Sequence, residues 1–245
     1  MPGTRPPTPA DPDPDPAPRP GGDPGPGASS LWTRPERGAR GPRPERSRED
    51  IAAAAVALAD AGGLSAATMR AVAAALGTAA ASLYRYLASR DDLLDLMADA
   101  VLAELPPAGP GGPDWLEDLV DVGRSLLALH QRHPWLPEAG LRGRTLGPRG
   151  TDHVEHCLRL MAPAPAGSAA KMEAVALLTG VVSLFARPVP ADARPLTPGE
   201  LFAVATPARH PQLVAALTRP TPPGPRPDLF ADTLRGVLRG LLAGG

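Results

Sequence analysis

Residues 65–98, SAATMRAVAAALGTAAASLYRYLASRDDLLDLMA, constrain the fold more than any other stretch of this chain. Val72, Ala73 and Leu76 recur at helical spacing, and Thr68 before them offers an oxygen to the free N–H groups of a first turn. Gly77 ends that helix, since glycine enters the left-handed region without a Cβ clash. Thr78 is placed to cap a second, short helix with Leu83 and Leu87 inward, and Ser89 with Asp92 forms a capping-box pattern opening a third. Two short helices set by a tight turn, the second with small and polar outward residues, suit docking in a DNA major groove.

The rest of the chain is consistent with an all-α fold. Aromatic residues make up only 3% and no segment alternates as a half-buried strand does, so the core must come from Ala, Leu and Val. The 34 prolines are concentrated near the N-terminus, where the apolar content is too low to offset ordering. Residues 1–45 therefore read as a disordered Pro/Gly-rich tail with a basic arm, 46–105 as a helix-turn-helix domain and 114–245 as a second helical domain. The segment 106–113, PPAGPGGP, is the boundary.

A single cysteine, Cys157, excludes an internal disulfide and fits a reducing cytoplasm. No apolar run approaches ~18 residues and no apolar leader opens the chain, so no membrane is expected as partner. The net charge of −1 is uninformative, but its distribution is not. Arg34, Arg37, Arg40, Arg43, Arg46 and Arg48 precede the first helix, and Arg70, Arg85 and Arg90 stand near the presumed groove face. Acids cluster behind that face at Asp91, Asp92, Asp95 and Asp99.

Ser47 with Asp50 caps a first helix to about residue 61, and a fourth covers about 90–105. Asp114 opens a long helix from Trp115 to about His133, stopped by Pro134. The segment 133–140, HPWLPEAG, reads as a turn with a buried Trp135. Helices follow at about 148–161, at 168–186, from Thr197-Pro198, and from Asp228. The helix at 168–186 is apolar almost all round, which requires two packing partners.

The TMR of 68–70, LG of 76–77, LYRYL of 83–87 and SRDDLL of 89–94, with IAAAAVALADAGG at 51–63, resemble the N-terminal domain of the tetracycline-repressor (TetR) family of bacterial transcription regulators. More loosely, LEDLVDVGRSLLALHQRHPWLP and DLFADTLRGVLRGLLAG resemble the start and the last helix of that family's regulatory half. The resemblance implies a DNA-binding regulator, a repressor released from a palindromic operator by a small, mainly apolar effector. It also implies that 114–245 is an effector-binding and dimerisation domain, with a homodimer formed through 168–186 and 228–243.

Carried over residue by residue, the phosphate contacts would be Tyr84 and Arg90. Thr68 can serve phosphate at a helix N-terminus, and Arg70 and Arg85 can reach guanine edges. Thr78, Ala79, Ser82 and Tyr86 complete the reading helix, while Arg46 and Arg48 belong to the arm. Three successive alanines, Ala79 to Ala81, offer only apolar contact to thymine methyls. Trp115, Leu119, Leu126, Trp135, Leu158, Met161, Met172 and Phe185 are the candidate effector pocket, each also readable as core.

His153, His156 and Cys157 share one helical side, but no fourth ligand is evident nearby, so no metal and no cofactor are expected. No nucleophile–base pair, phosphate-binding glycine loop or carboxylate dyad argues for an enzyme. The alternative is a constitutive DNA-binding protein whose affinity no metabolite changes.

Overall fold

The computed structural model describes residues 31–33, 46–142, 145–187, 197–219 and 228–242, and the ordered elements among them are helical, with no strand. The head comprises α1 (Arg48–Gly62), a 3-10 turn (Leu64–Ala66), α2 (Met69–Ala75), α3 (Ala80–Leu83) and α4 (Arg90–Leu102). The body comprises α5 (Trp115–Arg132), α6 (Leu136–Arg142), α7 (Pro148–Leu160), α8 (Ser168–Phe185), α9 (Pro198–Val204), α10 (Pro211–Thr218) and α11 (Leu229–Leu242).

Local chemistry sets the helix starts of the head. Ser47 and Asp50 form a complete capping box on α1. Thr68 accepts the Ala71 N–H at the start of α2. Ser89 accepts the Asp92 N–H, while the Asp92 carboxylate accepts from Ala88 at 2.6 Å, one residue before the usual partner. Gly77 has φ +65°, the conformation expected of it. Alanines at 52, 55, 59, 67 and 73 let the short helices approach closely around Ile51, Leu83, Leu87, Leu93 and Met97, all buried.

In the body, α5, α8 and α11 pack on one another, while α7 packs on α4, α5 and α8, and α6 on α4. Gly123 marks a tight crossing: a Cβ there would lie 2.5 Å from Leu234 of α11. Arg235 of α11 forms a two-pronged pair with Glu117 of α5, and Arg124 reaches Asp228 at 3.0 Å. Both pairs are at least partly exposed, so they orient the helices more than they stabilise them.

Several sequence expectations change. Thr78 does not cap α3; Ala79 occupies the cap position with no side-chain bond, which leaves the Thr78 hydroxyl uncommitted. The predicted turn at 133–140 contains the start of α6, because Pro137 lies in its first turn, where the missing N–H costs nothing. Helix α10 begins at Pro211 for the same reason. Within the predicted tail, Leu31 is 1% exposed and belongs to the core, so the chain is anchored there. Arg34, Arg37, Arg40 and Arg43 lie outside the described residues. Contrary to the expectation of no spanning stretch, α8 is long and apolar enough to cross a membrane by length and composition. Its Lys171, Glu173, Ser and Thr interrupt the run in sequence, and one flank packs on α5, α7 and α11.

Candidate nucleic-acid interface and ligand cavity

The outward face of the head gathers most of the residues named from sequence. Thr68, Arg70, Ala79, Tyr84 and Arg85 are exposed, with Thr78 and Ser82 half-buried beside them. Tyr84 is 57% exposed, an unusual position for a phenol with no hydrogen-bond partner among the described residues. Arg70 and Arg85 likewise have no hydrogen bond or ion pair among the described residues, so both guanidinium forks are open to a ligand. Unpaired cations and a phenol beside a helix N-terminus make a surface suited to phosphate and base edges.

Four predicted contacts are placed differently. Tyr86, placed on the reading helix from sequence, lies in the turn after α3 and packs against the core from a half-buried position. Arg90 opens α4 and donates to the Leu64 carbonyl at 3.3 Å, so part of its donor set braces the 3-10 turn. Arg46 donates to the Leu76 carbonyl at 2.7 Å, which ties the arm to the end of α2. Arg48 lines a cavity with Trp32, Asp99 and Arg149, apart from the reading helix.

The acids behind the head have structural work. Asp95 and Asp99 of α4 are 6% and 3% exposed. Asp95 accepts the Thr145 hydroxyl at 2.7 Å, and Asp99 accepts the Gly150 N–H at 3.0 Å, in the first turn of α7. A carboxylate at a helix N-terminus meets free N–H groups and the positive end of the dipole. Helix α4 is thereby tied to α7.

A second tie links α1 to the body. His133 Nδ1 lies 2.8 Å from Asp60 and its Nε2 3.0 Å from Glu104. The Trp135 indole N–H donates to the same Asp60 oxygen at 2.6 Å, and Arg132 pairs with Glu104. Trp135 is buried as expected, but its role is this clasp.

Between α4, α5, α6, α7 and α8 lies a cavity of about 880 Å³. Leu102, Leu126, Leu136, Val154 and Val175 supply apolar wall; His130, Thr179, Ser183 and Arg187 supply polar groups. Of the eight pocket residues named from sequence, Leu126 alone lines it. Leu119 and Met161 are closed into the core. Phe185 packs edge-on against Phe230 at 5.4 Å. Trp115 and Leu158 are half-buried against the core, and Met172 is 50% exposed.

Burial lowers His130 to a pKa of about 4, so its imidazole is neutral near pH 7. Burial, then the neighbouring His156, also lowers His153. His153 Nε2 is 3.8 Å from Cys157 Sγ, and burial pushes that thiol up to about 11, so it offers no thiolate. Among the described residues no group of three His, Cys, Asp or Glu is arranged to hold a metal ion.

Comparison with known proteins agrees with this layout. The family model described as bacterial regulatory proteins, tetR family, matches residues 51–97. The tetracyclin repressor-like C-terminal domain model matches 106–244. The HTH-type transcriptional repressor DrrR1 of Streptomyces coeruleorubidus is 39% identical over 153 residues, 62% of this chain and 57% of that one. The chain thus spans less than two thirds of that relative's length. The crystal structure of apo ActR from Streptomyces coelicolor superposes with a TM-score of 0.68 at 29% identity, covering 82% of this chain and 98% of ActR. ActR in complex with actinorhodin superposes with a TM-score of 0.67 at 27% identity and the same coverage.

Proposed function

The chain belongs to the TetR family of bacterial regulatory proteins, and from that premise we propose that it is a transcriptional repressor, acting as a dimer on a near-palindromic operator and released by a small, mainly apolar effector. The observation that carries the DNA-binding half is the open pair Arg70 and Arg85 with exposed Tyr84 around a capped α2. Two such heads related by a two-fold axis read two half-sites, which is why the operator is near-palindromic.

The second subunit docks on the flank of α8 that this chain leaves uncovered. Leu177 and Leu184 are 45% and 64% exposed there, Leu184 also lining the cavity. With α11 alongside α8, two copies make a four-helix layer.

Release follows from the path of α4. Its first residues brace the head, and its Ala98 and Leu102 form cavity wall. A ligand that resets α4 against α7, through Asp95 and Asp99, changes the spacing of the two heads. ActR, a relative in fold, is known with actinorhodin bound, which supports an effector in this family layout.

The test is binding of the purified protein to its own upstream DNA, with salt titration and excess unrelated DNA. A specific complex of two chains per site, weakened in Tyr84→Ala on all sequences, supports the reading. Wild-type affinity in Tyr84→Ala removes this phenol from the interface. A complex that no small molecule alters favours a constitutive DNA-binding protein.

A further inference from the structure

Apart from alanine and proline, Leu31 and Trp32 are the only apolar residues between Pro2 and Asp50. Leu31 is closed into the core, and Trp32 packs half-buried against it. Trp32 shares a cavity wall with Ala52 and Val56 of α1, Asp99 and Ala100 of α4, and Pro148 of α7. The pair therefore sits where α1 and α4 of the head meet the first turn of α7 in the body.

Gly147 reports the same contact from the other side. It caps α7 with φ −82°, which any residue adopts, so its backbone does not call for glycine. Space does: a Cβ there would lie 2.6 Å from Trp32 Cζ2 and would also run into the Asp99 carboxylate. Trp32 and Asp99 thus close on one backbone position. Asp99 accepts the Gly150 N–H at 3.0 Å and faces Arg149 at 3.5 Å. Such a bond strengthens as water is excluded, and the indole beside Gly147 helps to exclude it.

We propose that Leu31 and Trp32 form a strap that positions the head: Leu31 anchors it, and Trp32 holds α4 against the start of α7 in the setting that reads an operator. The proposal rests on the regulator reading above and adds to it two positioning residues from outside both helical domains. Helix α4 packs on α1 and braces the 3-10 turn through Arg90, so a shift of α4 against α7 is a shift of the reading face. Both residues act through α4 and need no contact with DNA.

The full chain in solution tests the strap. In the wild type, the Trp32 ring gives a nuclear Overhauser effect to the Gly147 Hα protons. Trp32→Ala leaves Leu31 in the core, speeds amide exchange at Gly150 about tenfold and leaves the central amides of α5 and α11 unchanged, the pattern of a local opening. The same variant binds the chain's own upstream DNA about tenfold more weakly, within the range by which residues remote from a ligand modulate its binding. Its binding to unrelated DNA is unchanged, because that needs only the charge of each head. Trp32→Phe, which keeps a ring, recovers most of both losses.

Absence of the Overhauser effect, or Gly150 exchange at the wild-type rate in Trp32→Ala, overturns the strap. Faster exchange in α5 and α11 as well also overturns it, since that is a general loss of stability. If Trp32→Ala misfolds, Trp32→Leu carries the same readings with a smaller gap. Specific DNA binding that the variant leaves intact sinks the strap and keeps the regulator. Local loosening at Gly150 in a chain whose wild type reads no DNA sinks the regulator and keeps the tie between α4 and α7.

Discussion

The head and the body solve different problems with the same alanine-rich composition. In the head, α1 to α4 close around small side chains and turn their reactive groups outward: Arg70, Tyr84 and Arg85 have no partner within the described chain. In the body, polar groups turn inward, and His130 and His133 are buried. All five histidines lie in the body and none within 46–105. A surface that must meet a polyanion keeps its donors free, whereas an element that must respond to a ligand encloses its polar groups and leaves room beside them.

Acid should separate the two regions most strongly. The unfolded chain takes a proton on His130 near pH 6.5, the folded chain only near 4. Stability is therefore complete above pH 6.5 and is lost as pH falls through that window, by up to about 3 kcal/mol from His130. His153 and His156 shift the same way and steepen the loss. Urea melts at pH 7 and pH 4.5 check this, and a constant midpoint would place His130 in water.

Next in size is Gly123→Ala. The added methyl would meet Leu234 Cδ2 at 2.5 Å and Phe230 Cζ at 3.3 Å, so these buried side chains must repack or α5 and α11 separate, at a cost of about 1–3 kcal/mol. Thermal melting reads the cost; an unchanged midpoint would contradict the tight crossing. In the head, Thr68→Ala removes the α2 cap and costs about 1 kcal/mol. A larger loss would mean that Thr68 supports more than the first turn.

The same division governs what the sequence disclosed. Caps at Ser47, Thr68, Ser89 and Asp114 act within four residues, so their spacing was readable directly. Thr78 failed because the backbone entered α3 one residue later. The roles of Asp95 and Asp99 were invisible, since their partners Thr145 and Gly150 are about fifty residues away. The cavity was invisible for a related reason. Space between five helices leaves no periodic signal, and large apolar residues such as Leu119 and Met161 fill core instead of lining it. Nothing in the segment around His130 signals its burial, which comes from long-range packing of α5.

The most direct test of the account is the salt dependence of operator binding for the wild type and for Arg85→Ala. If the open guanidinium of the head engages phosphate, the slope of log affinity against log salt becomes shallower by about one unit per subunit replaced. An unchanged slope with loss confined to particular base pairs would keep Arg85 on the guanine edges that its place in the sequence suggests. An unchanged slope with unchanged affinity would contradict the claim that this face of the head meets DNA.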